Sequence, residues 1–188
     1  MKRSDFNYLL PPQLIAQHPL SERSASRLLV LDGAKGAVRH QRFYELPDFL
    51  NSNDLLVFND TRVIPARLWG QKVTGGKVEI LIERLTGSHT AVAHIRASKS
   101  PRAGSVIHLC EMAECDPGPF QLVVTGREGD LFCVSSEGST ALAEILRHIG
   151  HMPLPPYIER EDDSADQDRY QTVYAAREGA VAAPTAGL

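Results

Sequence analysis

From residue 66 to residue 138 the chain is cut into short pieces that read as strands and nothing else. Val78, Ile80 and Ile82 alternate with Glu79 and Glu83, the period of two that sends successive side chains to opposite faces of a sheet. Thr74-Gly75-Gly76 just ahead of them is a hairpin signal. Residues 90–98, 106–109, 120–125 and 131–135 continue the pattern, punctuated by Gly87, Gly104, Gly118, Gly126 and Gly129. Five or six strands this short, with no helix among them, predict a small antiparallel barrel.

The flanking segments read differently. Residues 27–32 (RLLVLD) and 54–60 (DLLVFND) are nearly continuous apolar runs, the pattern of buried strands. Phe43, Leu46, Phe49 and Leu50 recur at near-helical spacing, with Pro47 suited to a helix start. Leu142, Ile145, Leu146 and Ile149 mark one amphipathic helix, with Ser139 or Thr140 as N-cap and Gly150 as its C′ residue. The predicted architecture is an α/β core, residues 1–65 and 139–188, with the all-β barrel of residues 66–138 inserted in it. Val63-Ile64-Pro65 leads in, and HMPLPP (151–156) leads out. The acidic run 159–168 has no useful apolar period and reads as a mobile surface loop.

Composition narrows the class. Apolar residues make up 43% and charged residues 23%, as in ordinary soluble proteins, and no apolar run is long enough to span a bilayer. Cys110, Cys115 and Cys133 lack metal-type spacing and read as reduced thiols of a cytoplasmic protein. The net charge of −3 argues against a chain-wide grip on nucleic acid, yet residues 61–103 hold eight Lys and Arg against Glu79 and Glu83 alone. Such a local excess can bind phosphate by releasing counterions; the alternative is a solvated basic strand surface.

Four segments can carry chemistry. Asn59-Asp60-Thr61-Arg62 follows an apolar run, where α/β proteins commonly place ligand-binding residues. Asp60 could serve as a base or hold ribose hydroxyls, and Arg62 could clamp a carboxylate or phosphate. An Asx-type turn followed by a surface arginine is the competing reading. His94 to Lys99 ends a strand with two cations and a hydroxyl, an ordinary basic terminus or a phosphate contact. Met152 to Tyr157, with three prolines, is stiff and either fixes Tyr157 in direction or serves as a rigid linker. Residues 170–188 set tyrosines beside small residues, for packing or for close approach of a ligand. His148 and His151 flank the expected helix end and need not converge, so no metal site is expected.

Taken together, LIAQHP (14–19), SRLLVLD (26–32), NDTRVIPARL (59–68), GHMPLPPYI (150–158) and YQTVYAAREGAVAAPTAGL (170–188) resemble the S-adenosylmethionine:tRNA ribosyltransferase-isomerases of queuosine biosynthesis. The resemblance covers nearly the whole chain. It implies transfer and isomerisation of the ribosyl group of S-adenosylmethionine onto 7-aminomethyl-7-deazaguanine at the tRNA wobble position, giving epoxyqueuosine-tRNA, adenine and methionine. It implies no cofactor beyond S-adenosylmethionine as co-substrate. The partners expected are that donor and the tRNA carrying the deazaguanine precursor; the protein is expected to be a cytoplasmic monomer without a membrane partner. Asp60, Tyr157 and Tyr170 are the implied catalytic residues. Asn59, Arg62, Tyr174, Thr185 and Gly187 are the implied donor-binding residues, and Arg67, Arg96 and Lys99 the implied contacts to tRNA phosphates. In that family the run continues past AGL into a second half, so this chain is expected to be an N-terminal part with an incomplete core, inactive alone. The competing class is a non-catalytic RNA-binding β-barrel module. A conventional methyltransferase is disfavoured, because no strand leads into a glycine-rich turn with an acidic ribose partner.

Overall fold

The carboxylate of Asp32 makes the first hairpin turn of the chain. Its Oδ1 accepts hydrogen bonds from the backbone N–H groups of Ala34 (3.0 Å) and Lys35 (3.2 Å). The strand β1 (Arg27–Asp32) therefore folds back on β2 (Ala37–Arg42), with Gly36 at φ 64° supplying the left-handed step. The computed structural model describes every residue except Cys115, Thr185 and Ala186. Its chain divides into two units, one formed by Met1–Phe58 with Pro156–Arg160, the other by Asn59–Pro155 with Glu161–Leu188.

In the first unit, β1 and β2 form a two-stranded antiparallel hairpin, accompanied by four 3-10 helices at Arg3–Phe6, Pro12–Leu14, Arg23–Ala25 and Phe43–Phe49. Gln17 joins its two segments: Nε2 donates to the Tyr157 carbonyl (3.1 Å), Oε1 accepts from the Glu159 N–H (2.6 Å), and its carbonyl accepts from Arg160 Nε (2.8 Å). Three expectations are corrected here. β1 is a strand but not a buried one, since Leu29 and Leu31 are exposed on one face of a two-stranded hairpin. Residues 54–60 form no strand and enter no sheet, and Leu55 and Val57 stand 87% and 86% exposed. The helix read near Pro47 is 3-10 and starts earlier. Glu45 Oε2 accepts the Arg42 N–H at 2.6 Å, so the turn begins at Phe43 and Pro47 falls inside it.

The second unit contains β3 (Thr61–Val63) and then the barrel: β4 (Arg67–Lys72), β5 (Lys77–Leu85), β6 (Thr90–Ala97), β7 (Val106–Cys110), β8 (Gln121–Glu128) and β9 (Leu131–Ser136). The barrel closes in the order β4-β5-β6-β9-β8-β7, with β7 returning to β4 and every pairing antiparallel. The hairpin from β4 to β5 turns at Gly75, φ 83°, as its glycines predict. Inward positions alternate along the strands: Leu68 on β4, Val78, Ile80 and Ile82 on β5, Ile107 and Leu109 on β7, Leu122 and Val124 on β8. The helix α1 (Leu142–Ile149) adds Leu142, Ile145, Leu146 and Ile149 to this same core. Then come α2 (Asp166–Arg169) and β10 (Arg177–Ala180), the latter pairing in parallel with β3.

Outside the barrel the described residues form no larger parallel sheet; the pair β3 and β10 stands alone. The cap expected from Ser139 or Thr140 is not used. Ala141 occupies the N-cap without a side-chain bond, and the Leu142 N–H donates instead to the Ser88 carbonyl (2.8 Å), so a barrel loop supplies what a capping hydroxyl would. Gly150 follows α1 as expected but at φ −80°, not left-handed. The acidic run is not a free loop either. Asp163 Oδ1 accepts from the N–H groups of Ala165 (2.8 Å) and Asp166 (3.2 Å), while Asp166 Oδ2 accepts from the Asp163 N–H (2.9 Å).

Candidate functional site

Asn59 shapes the entry to β3. Its Oδ1 accepts hydrogen bonds from the Thr61 N–H (3.0 Å) and the Thr61 hydroxyl, an Asx-type turn that spends the side chain locally. Asp60, next along, is bound twice to the far end of the chain. Its carbonyl accepts from the N–H groups of Ala176 (2.8 Å) and Arg177 (3.1 Å), and Arg177 Nε lies 3.6 Å from its Oδ2. The strands then run side by side, Thr61 opposite Arg177, Arg62 opposite Glu178 and, after a register shift on β10, Val63 opposite Ala180. Two of the candidate stretches, more than a hundred residues apart in sequence, thus meet in one parallel pair.

Gln171 completes this arrangement. Its Oε1 accepts the Val63 N–H and its Nε2 donates to the Val63 carbonyl, both at 2.8 Å, and the side chain is buried at 4% exposure. A primary amide sets an N–H donor beside a carbonyl acceptor, the same pair that a neighbouring strand would present. Sequence analysis overlooked Gln171; a lone glutamine before Thr172 has no periodicity to mark it.

Beside the pair lies a cavity of about 370 Å³. Arg62, Arg147, Gln167, Gln171 and Glu178 supply its polar lining; Pro65, Leu146 and Met152 contribute to the apolar part. Arg147 Nη2 lies 4.0 Å from Glu178 Oε2, a long and exposed ion pair worth little. Arg62 is half-buried and, among the described residues, has no ion-pair partner. Two guanidinium groups face one carboxylate, so the cavity suits an anionic group of a ligand. Asp60 is not part of its lining.

The tail contributes a second close approach. A Cβ on Gly187 would lie 2.8 Å from the Tyr174 hydroxyl and 3.0 Å from Thr172 Cγ2, so Gly187 and Tyr174 are immediate neighbours. The Thr172 hydroxyl beside them is buried and, among the described residues, has no hydrogen-bond partner, a second residue that sequence analysis missed. Tyr170 is half-buried at the C-terminal end of α2. Thr185 lies outside the described residues. Tyr157 belongs to the first unit, where its side chain is exposed.

The three cationic candidates on the barrel differ in availability. Arg67 is committed: Nη2 donates to the Leu154 carbonyl (2.9 Å), and Nε lies 3.2 Å from Glu79 Oε1, at ion-pair distance without hydrogen-bond alignment. Arg96 is 90% exposed, with Nη1 3.9 Å from the other oxygen of Glu79. Lys99 is exposed, and its carbonyl accepts from Lys72 Nζ at 2.9 Å. Arg96, Lys99 and Lys72 therefore present accessible cations.

His151 fastens the chain where it leaves α1. Its backbone pairs with Arg67 in both directions (3.1 and 2.8 Å). Its ring places Nδ1 2.8 Å from Asp162 Oδ1 and Nε2 2.7 Å from the Glu111 carbonyl. Both ring nitrogens face acceptors, so the imidazolium satisfies both. The hydrogen bond to Asp162 raises the His151 pKa above its ordinary value against the opposing effect of burial, with the Glu111 carbonyl assisting. For Asp162, burial alone would raise the pKa, but hydrogen bonds from His151 and the Met152 N–H together lower it. The stabilisation is thus complete between the ordinary pKa of Asp, 3.8, and that of His, 6.5. It is lost as pH rises through the raised His151 pKa, and again as pH falls through the lowered Asp162 pKa. Urea midpoints measured across that range should fall on both sides, and Asp162→Asn should flatten the profile.

The family described as queuosine biosynthesis protein matches residues 3–188, and the chain belongs to it. It is similar to the crystal structure of S-adenosylmethionine tRNA ribosyltransferase from Thermotoga maritima, with 29% identity over 82% of this chain and a TM-score of 0.38. The match spans 52% of that protein, so this chain covers about half its length. No helix among the described residues is long and apolar enough to cross a membrane.

Proposed function

We propose that the chain takes part in ribosyl transfer from S-adenosylmethionine to 7-aminomethyl-7-deazaguanine in tRNA, with isomerisation to epoxyqueuosine and release of adenine and methionine. The observation that carries this reading is the parallel pairing of β3 with β10, which sets Asp60 and Arg62 against the tail beside an anion-suited cavity. Arg62 is the residue for the donor's carboxylate, because it is half-buried and uncommitted. The sulfonium acidifies the adjacent ribose carbon, and Asp60 is the carboxylate proposed to accept that proton or to hold the ribose hydroxyls. Tyr157 and Tyr170 are the proposed hydroxyl donors for departing adenine; Tyr174 and Gly187 shape the donor site. The same reading treats β3, β10 and α1 as part of an α/β core interrupted by the barrel of residues 66–138, and the protein as a cytoplasmic monomer.

The test is release of free adenine by the full-length protein on incubation with S-adenosylmethionine and tRNA carrying the aminomethyl-deazaguanine base. Adenine that forms only with the modified tRNA supports ribosyl transfer. A folded protein that binds this tRNA and releases no adenine moves the assignment to a non-catalytic RNA-binding module, the reading favoured by the exposed cations Arg96 and Lys99.

A further inference from the structure

We propose that the barrel carries a site for one unpaired nucleotide of an RNA chain, built from Arg102, Arg127 and Phe132. The choice of RNA rests on the tRNA-substrate reading above, whereas the chemistry of the pocket stands on its own. A cavity of about 460 Å³ opens here, lined by Pro101, Arg102, Val124, Gly126, Arg127 and Phe132. Its size falls within the ~300–1,000 Å³ of small-ligand pockets.

The floor is Phe132, 4% exposed. Arg127 lies over it, with Cζ 4.1 Å from the ring centroid, and its Nη2 donates to the Ser100 hydroxyl at 2.8 Å. Two contacts, one from strand β9 and one from the loop after β6, thus hold one guanidinium in place while the residue stays exposed. A fixed guanidinium is a stacking surface for an unpaired base, and it carries a positive charge as well. The acid next in sequence does not compete for it, since Glu128 Oε1 is 2.5 Å from Arg84 Nη2. Arg102 is exposed, and among the described residues its guanidinium has no ion-pair partner. No carboxylate lines the cavity. The pocket therefore offers a flat cationic face for a base and a separate cation for its phosphate, and Arg96 and Lys99 are not part of it.

Gly126 makes the proposal testable without disturbing the fold. It sits at the irregular step between β8 and β9, and a Cβ built on it meets nothing within 4 Å. A larger side chain there enters the cavity. The probe is a fluorescein-labelled oligouridylate of about eight nucleotides, titrated with the 188-residue chain and followed by anisotropy. Arg127→Lys keeps the charge and loses the flat face, so it should weaken binding about tenfold. Gly126→Leu should weaken it comparably while unfolding at the wild-type temperature. Arg102→Gln should lower the slope of log K against log salt by about 0.7, one phosphate contact. A duplex of the same length should bind more weakly than the single strand. Unchanged affinity in Arg127→Lys and Gly126→Leu, or equal binding of the duplex, would overturn the site. If those variants bind normally while wild-type protein releases adenine, the pocket is wrong and the enzymatic reading stands. If the variants lose the oligouridylate and no adenine is ever released, the pocket stands and the enzymatic reading fails.

Discussion

Gly150→Ala is expected to cost about 3 kcal/mol of stability, more than alanine at any other glycine of the second unit. A Cβ at this position would lie 2.1 Å from the Pro65 carbonyl oxygen and 2.3 Å from that of Leu146. Both clashing atoms are backbone, so no side chain can swing away to relieve them. Relief requires separating the end of α1 from the segment that enters β4, and α1 contributes four residues to the barrel core. The contrast is Gly126→Ala, where the added methyl meets nothing within 4 Å, and stability should change by no more than about 0.5 kcal/mol. Urea unfolding of the two variants provides the comparison. Equal midpoints would mean that the chain around Pro65 yields more easily than its packing implies.

In the full-length protein, Asp60→Asn is expected to lower adenine release by a factor of about 10²–10⁴ while leaving tRNA binding and stability unchanged. The amide keeps the shape of the side chain, and the backbone carbonyl still holds Ala176 and Arg177. What is lost structurally is the ion pair with Arg177, whose partners are 51% and 83% exposed, and pairs of that kind contribute little. A large fall in turnover with normal folding and tRNA affinity would therefore report on chemistry. Full activity in Asp60→Asn would remove Asp60 from proton transfer and leave it the role of joining β3 to the tail.

The barrel was legible because period-two alternation on β5, β8 and β9 is a purely local signal. β4 was not, and Gly70 shows why. A Cβ there would meet Ile107 Cγ2 at 2.7 Å and the His108 carbonyl at 2.9 Å, so the glycine exists for the close crossing of β4 and β7. In sequence it only interrupts an alternating strand. Residues 54–60 failed in the opposite direction: their apolar run is local, but a strand also needs a partner along its edge, which composition does not reveal. At the site, the importance of Asn59 to Arg62 was readable, as was the closeness that small residues permit at Gly187. The meeting of β3 with β10 and the amide of Gln171 belong to tertiary pairing, for which no spacing rule exists. Arg67 shows the converse, a cation that looks available in sequence and is engaged with Glu79 and Leu154 in space.

The amide of Gln171 also decides in which direction the β3–β10 pair can be extended. On one side of β3 the Ile64 N–H reaches across to the Ala180 carbonyl at 2.9 Å; on the other, both polar groups of Val63 are already saturated by a side chain. A strand arriving at that border would have to evict a buried glutamine before forming its first bond. β10 has no such guard among the described residues. The border of this pair that stays open to a further strand is therefore the one along Arg177–Ala180.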